Sequence, residues 1–349
     1  MCGICGVVAL DRPPETATVE RMLDELAHRG PDGRGTHDEP GVALGHLRLA
    51  IIDLSDAGLQ PFASEDGRHR LIHNGEVYNY RELRAELEAK GHRFGSETDT
   101  EVILEAYREW GEDCVRRFVG MWAFAIWDSH ERRLLCSRDR FGVKPFYYRL
   151  DGDRLAFASE PRAFRHDRLE PNPTVIRDYL EQSYLDHTDE TFFAGIRSLP
   201  PAHNLTFDAK GLRLSRYWRL EPGEPPADPA EAVRAAFLDA IRLHLRSDVP
   251  VGTCLSGGID SSAIAVGVAY VGVEHQKTVT AYFDDPGFDE RPFARAVVSA
   301  PAPSRTGCPS TPTASSRTCR RSSGHRASRS GRRAWPRSGT SCERRSAPA

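Results

Sequence analysis

Met1-Cys2-Gly3-Ile4-Cys5-Gly6 opens the chain, and its second residue governs how the rest is read. Removal of Met1 leaves Cys2 with a thiol and a free α-amine on one residue. An α-amine titrates near about pH 8, well below a lysine, so much of it is neutral and able to accept a proton. A thiol needs such a base beside it to become a strong nucleophile, and a chain-terminal cysteine carries its own. Taken alone, the same run is an ordinary buried strand start. The residues that follow separate the two readings.

The chain of 349 residues is long enough for two domains with a substantial core. Its formal net charge of −3 hides an uneven distribution. From Pro301 onward there are eleven Arg, no Lys and one Glu, a net of +10 that leaves −13 on the preceding 300 residues. Residues 301–349 contain no Val, Ile, Leu, Met or Phe. Such a stretch cannot bury enough apolar surface to offset the entropy of ordering it, so it is expected to be disordered. A shifted reading frame in a GC-rich gene accounts for its Arg, Ser, Pro and Ala more simply than a nucleic-acid-binding arm does.

The eight cysteines show no disulfide framework, which fits a reducing, cytoplasmic setting. Cys2-Gly-Ile-Cys5 has no second pair or flanking His, so Cys5 reads as a small core residue. There is no basic, apolar leader and no apolar run of membrane-spanning length, so neither secretion nor a membrane is expected.

In order, Cys2–Leu10 reads as a strand, and Thr18–His28 as a helix ending at the turn-rich Arg29-Gly30-Pro31-Asp32-Gly33. Val42–Leu54 alternates and then turns continuously apolar, suggesting strands with Arg48 among them. Arg70–His73 reads as a short strand leading into Asn74-Gly75-Glu76-Val77-Tyr78-Asn79. Tyr80–Lys90 and Asp99–Trp110 have helical spacing. Gly120–Asp128, Arg133–Arg138 and Leu155–Ser159 read as further strands. Strands and helices fall in blocks, which fits two sheets with helices on the outer faces better than a doubly wound fold. After the proline-rich linker at 216–229 the pattern changes. A helix starting at Asp228-Pro229 is followed by the strand Val249–Leu255, the loop Ser256-Gly257-Gly258-Ile259-Asp260-Ser261-Ser262, the helix Ala263–Val271 and the strand Thr278–Phe283.

Five separated signals in this order resemble one family. They are Met1-Cys2-Gly3-Ile4, the Arg48–Asp53 run, Asn74-Gly75-Glu76-Val77-Tyr78-Asn79, Thr98-Asp99-Thr100-Glu101, and Ser256–Ser262. The first four are similar to class II glutamine amidotransferases, and the fifth narrows the resemblance to glutamine-hydrolysing asparagine synthetases. It covers roughly residues 2–300. It implies an α+β N-terminal-nucleophile hydrolase fold, four-layer αββα, at 2–215. A linker at 216–229 and an incomplete α/β ATP-pyrophosphatase-type synthetase domain at 230–300 would follow.

The resemblance also implies roles. Cys2 would attack the side-chain amide of glutamine, with its own amine moving the proton. The Asn74 side chain and the Gly75 N–H would form the oxyanion hole, with glycine keeping a Cβ out of the way. Arg48 would hold the glutamine α-carboxylate as a bidentate fork, with Asn74 also in contact and Asp99 and Glu76 facing the α-ammonium. Separately, Asn74-Gly75 is more often a hairpin turn, Arg48 an ion-pair arginine and Asp99 a helix cap.

The Ser256–Ser262 loop is not a Walker loop. It resembles the pyrophosphate loop of enzymes that split ATP to AMP. ATP would be held by Leu255, Ser256, Gly257, Gly258, Asp260, Ser261 and the backbone near Ala281, with Asp260 on Mg²⁺. The implied small-molecule substrates are glutamine, aspartate and ATP, with no nucleic acid. A homodimer is left open. The expected reaction is glutamine-dependent asparagine synthesis, of which this stretch retains the glutaminase half. The rivals are an amidotransferase adenylating another carboxylate, and a non-catalytic remnant with a basic tail.

Overall fold

The computed structural model describes residues 1–273, 276–282, 285–300 and the backbone of 315–320. The chain divides into two compact units, Met1–Gly223 and Glu224–Ala349.

The strands of the first unit are β1 (Gly3–Val8), β2 (Gly33–Glu39), β3 (Val42–Arg48), β4 (Phe62–Ala63), β5 (His69–Val77), β6 (Gly120–Asp128), β7 (Arg133–Arg138), β8 (Tyr147–Asp151), β9 (Arg154–Ala158), β10 (Ile196–Ser198), β11 (His203–Asp208) and β12 (Gly211–Arg216). Its helices are α1 (Thr16–Leu26), α2 (Tyr80–Ala89), α3 (Asp99–Trp110) and α4 (Pro173–Gln182). Two six-stranded sheets run in the orders β10-β8-β9-β1-β3-β2 and β12-β11-β7-β6-β5-β4.

Period-two alternation builds the layers. On β6, Trp122, Phe124 and Ile126 face α2 and α3, joining Leu83, Leu87, Val102 and Ile103. Between them, Ala123, Ala125 and Trp127 face the first sheet, meeting Ile4, Val8, Leu44 and Phe157. On the first sheet's far side, Cys5, Val7 and Ala43 pack under Val19, Met22, Leu23 and Leu26 of α1. Each large side chain taken fully out of water contributes about 1.5–3 kcal/mol. The result is the four-layer αββα order: helix, sheet, sheet, helices.

Local chemistry fixes the parts nearest the eventual site. Thr98 caps α3, its hydroxyl accepting from Glu101 N at 3.1 Å, while the Glu101 carboxylate reaches back to Gly95 N and Ser96 N. That reciprocal capping places Asp99 at the first helical position.

Several expectations differ from the structure. The strand from Val42 ends at Arg48, because its guanidinium draws the following segment back, donating to the carbonyls of Ser55 (2.6 Å) and Asp53. The Asn74–Asn79 stretch is not a loop throughout. Strand β5 continues to Val77, since β6 offers a paired edge with Asn74 opposite Ala123, Gly75 opposite Trp122 and Glu76 opposite Met121. Strand β2 lies in what reads as turn-rich, polar sequence.

The second unit holds α5 (Pro229–His244), β13 (Gly252–Cys254), α6 (Ile259–Tyr270), β14 (Lys277–Tyr282), α7 (Arg291–Ser299) and β15 (Ser315–Arg320). Asp228 caps α5 by accepting from Glu231 N at 3.1 Å. The three strands form a parallel sheet in the order β13-β14-β15. Within the 301–349 stretch expected to be disordered, β15 pairs in parallel with β14. The free edge of β14 presents backbone N–H and C=O groups, and a chain needs no apolar side chains to pair with them. The remainder of that expectation, 301–314 and 321–349, lies outside the described residues.

Candidate active site

Cys2 lies one residue before β1, and β1 pairs with β3 in a register that sets Gly3 opposite Leu47. The thiol therefore meets the backbone just past β3. Leu49 N donates to the Cys2 Sγ at 3.3 Å, and the thiol donates to Leu49 O at 3.6 Å. Burial pushes the thiol pKa up, while the Leu49 N–H and the terminal ammonium oppose that shift. Burial likewise pulls the Met1 amine below its ordinary value, toward the neutral form. Arg29 anchors this end of the chain. Its Nε donates to Cys2 O at 2.8 Å, its carbonyl accepts from the Met1 amine at 3.1 Å, and its guanidinium pairs with Glu160 at 2.6 Å.

Strand β5 supplies the opposite wall. Ile72 belongs to the core between the sheets, so alternation turns Asn74 and Glu76 to that same side. Asn74 is 1% exposed, and neither its Nδ2 nor its Oδ1 has a hydrogen-bond partner. An orphaned buried amide costs about 1–3 kcal/mol. It is tolerable where a ligand completes it.

The backbone adds a second donor. His73 N donates to Gln60 Oε1 at 2.6 Å and Val77 N to Asp99 Oδ2 at 2.8 Å, both on the edge away from β6. Lying midway between them, the Gly75 N–H points to that same edge rather than into the ladder with β6. The glycine is required for a reason different from the expected one. A Cβ there would come within 2.1 Å of Met121 O and 2.7 Å of Trp122 Cα, so its absence lets β5 and β6 approach.

These walls enclose a cavity of about 110 Å³ lined by Cys2, Arg48, Asn74, Gly75, Glu76 and Asp99, the six residues expected from sequence to act on glutamine. Arg48 already spends two donors on loop carbonyls. Burial first, and the like charge of Glu76 after it, raise Asp99 to about 7. Sequence reading missed Arg29, Gln60, His73 and Lys144. Gln60, His73 and Lys144 line the cavity, and each stands alone in its segment without a periodic or motif signal. Cys5 lies on the other face of β1, beneath α1. Among the described residues no cluster of His, Cys, Asp and Glu could hold a metal.

The remaining expected residues sit in the second unit. Leu255 is buried, with its N–H on Val279 O (2.9 Å) and its carbonyl on Thr280 Oγ1 (2.7 Å). The turn after it has Gly257 at φ +84°, where a Cβ would strike Phe293 Cβ at 2.3 Å. Ser256 Oγ and Ser261 Oγ lie 3.0 Å apart. Gly258 is the N-cap of α6, whose first turn has no side-chain cap. Asp260 is exposed in that turn, and Ala281 lies on β14.

The glutamine amidotransferase domain family model matches residues 1–218. The chain belongs to that family. Behind the amidotransferase unit, the asparagine synthase family model matches residues 232–304. Asparagine synthetase [glutamine-hydrolyzing] 3 of Bacillus subtilis (strain 168) is 42% identical over 276 residues, 76% of this chain and 44% of that protein. Asparagine synthetase [glutamine-hydrolyzing] 1 of the same organism is 36% identical, covering 86% of this chain and 49% of its own length. Amidase chry2 of Gibberella zeae is 38% identical, over 72% of this chain and 39% of that protein. The chain spans about half the length of the curated relatives it matches. No described helix is long and apolar enough to cross a membrane.

Proposed function

We propose that the amidotransferase unit, residues 2–215, releases ammonia from glutamine at Cys2. In the full-length enzyme that ammonia would serve asparagine synthesis from aspartate and ATP. The observation that carries the reading is the Asn74 amide, buried and unpartnered in the cavity that holds Cys2.

In the proposed reaction the Cys2 sulfur attacks the γ-carboxamide carbon of glutamine. Its proton passes to the α-amine that removal of Met1 exposes, and from there to the departing ammonia. The Asn74 Nδ2 and Gly75 N–H stabilise the tetrahedral oxyanion. Water then cleaves the γ-glutamyl thioester, giving glutamate and restoring the thiol. Arg48 holds the α-carboxylate with the donors its loop carbonyls leave over, and Glu76 and Asp99 take the α-ammonium.

The loop 255–261 fits a nucleotide phosphate, because α6 offers uncapped N–H groups in its first turn at the positive end of the helix dipole. Asp260 stands beside them as a carboxylate for Mg²⁺, which would screen the phosphate charge when bound. Activation of aspartate as β-aspartyl-AMP, with ATP at this loop and near Ala281, is proposed for the complete synthetase domain. The asparagine synthase match here is confined to residues 232–304, so the stretch described is proposed to carry the glutaminase half alone.

The test is glutamate release from glutamine by the purified chain, with aspartate and ATP present and asparagine measured in parallel. Glutaminase activity that falls to background in Cys2→Ala supports the reading. Activity that survives Cys2→Ala sinks it, and asparagine formation would show the ATP half to be complete. A second reading is transfer of the ammonia to a different carboxylate. An acceptor screen separates the two.

A further inference from the structure

The segment between β7 and β8 is held with more hydrogen bonds than a connection needs. Asp139, 1% exposed, accepts from four backbone N–H groups. Its Oδ1 takes Phe141 N (3.1 Å) and Val143 N (3.0 Å), and its Oδ2 takes Lys144 N (2.9 Å) and Trp122 N (3.2 Å). The neighbouring Arg138 guanidinium donates to the carbonyls of Gly142 (2.8 Å), Lys144 (2.9 Å) and Leu199 (2.6 Å). One carboxylate and one guanidinium thus fix the peptides on both sides of the turn. What they deliver is the side chain of Lys144, 6% exposed, into the cavity that holds Cys2 and Glu76. Burial works against its charge, and the groups that favour it are Glu76 first and Cys2 after it. Holding a cation in a buried cavity is costly even beside a carboxylate, a cost expected where the charge has a use.

We propose that Lys144 is a positioning charge for the nucleophile: its ammonium, set across the cavity, favours the thiolate of Cys2 over the thiol. The proposal rests on the reading of Cys2 as the nucleophile. The charged groups that line the cavity with the thiol are Arg48 on β3, Glu76 on β5, Asp99 on α3 and Lys144, together with the terminal amine of Met1. Arg29 is close as well but is neutralised by Glu160. Burial and Asp99 work against the thiolate, whereas the Leu49 N–H, the terminal ammonium and Lys144 work for it. Of the cations, the terminal amine must be neutral to act as a base, and Arg48 is committed to the carbonyls of Asp53 and Ser55. Lys144, whose charge is favoured by Glu76 and by Cys2 alike, is a cation able to balance a sulfur anion while the amine is unprotonated. The same charge opposes protonation of the Met1 amine, one residue ahead of the amine that removal of Met1 would expose. One ammonium therefore favours both halves of the reactive pair, thiolate and free base.

The test is the rate of Cys2 alkylation by iodoacetamide across pH, read at the Cys2 peptide by mass spectrometry, in wild type, Lys144→Met and Lys144→Arg. Lys144→Met is expected to move the alkylation midpoint up by about one pH unit. Alkylation would then run roughly tenfold slower below the midpoint. Lys144→Arg keeps the wild-type profile. A midpoint that does not move in Lys144→Met overturns the proposal. So does an equal shift in both variants, which would mark a packing role. A wild-type Cys2 that resists alkylation at every pH overturns the nucleophile reading beneath it. Thermal melts by circular dichroism confirm that each variant is folded, and Lys144→Gln replaces Lys144→Met if the latter is not.

Discussion

The amidotransferase unit buries Trp122, Trp127, Phe118, Phe124, Phe146 and Phe157 completely. Among the described residues, the second unit's buried cluster is Leu255, Ala265 and Ala294, with Val297 and Val298 against them. Helix α6 sharpens the contrast. Its sequence is apolar on every side, the pattern of a helix enclosed in a core. Yet Ile264 and Val266 stand 40% and 42% exposed, and Ile259 88%. The two proposed sites thus rest on different foundations. The Cys2 cavity is carved into a scaffold with three packed interiors, whereas the Ser256–Ser262 loop caps a helix whose outer apolar surface has no cover among the described residues. Ammonia release is accordingly the chemistry most directly open to test in this stretch.

The largest effect expected from this contrast is on stability. Trp122→Ala removes a side chain with no exposed surface and should cost about 3–5 kcal/mol, whereas Leu255→Ala should cost under about 2 kcal/mol because its surroundings are sparse. Urea unfolding followed by tryptophan fluorescence reads the first unit, which contains Trp110, Trp122, Trp127 and Trp218. Hydrogen exchange at α6 amides reads the second. Equal costs at the two sites would break the comparison.

Next is the oxyanion wall. Asn74→Ala should lower the kcat of glutamine hydrolysis by about 10²–10³, near 2.7–4 kcal/mol, with a much smaller change in KM. Steady-state kinetics would show it, and a loss confined to KM would reassign Asn74 to ground-state binding.

The smallest effect is electrostatic. Asp99 titrates near about 7 in the folded chain, above its unfolded value. Its contribution to stability is therefore full below the unfolded pKa and is lost as pH rises through the folded one. Glutamine binding has the opposite sign, because the α-ammonium pairs with the carboxylate. The KM for glutamine should fall roughly tenfold between about pH 6 and about pH 8, as the competent fraction of Asp99 grows. Asp99→Asn should weaken binding and flatten that dependence. A wild-type KM that ignores pH in this range removes Asp99 from the binding set.

The elements most legible in the sequence were those whose local chemistry agrees with their tertiary setting. Strand β6 alternates Trp, Phe and Ile with Ala between two cores, and α3 begins where Thr98 can cap it. Strand β2, Gly33-Arg-Gly-Thr-His-Asp-Glu39, has no apolar face to announce it, and only pairing with β3 makes it a strand. Asn74-Gly75 favours a turn locally, but the edge of β6 overrides that preference. Six of the residues lining the Cys2 cavity could be named from motifs. Gln60, His73 and Lys144 could not, because each enters the cavity through long-range topology that a single residue type does not encode.

Strand β1 lies in the interior of its sheet, with β3 on one edge and β9 on the other. A ribosome adding about 5–20 residues each second needs on the order of 10–30 s to pass from β1 to the end of β9. During that interval the Met1–Cys2 peptide bond has no completed sheet around it and stays within reach of a processing aminopeptidase. Under the proposed glutaminase reading, translation order leaves a period in which the Cys2 amine can be uncovered before its cavity has closed.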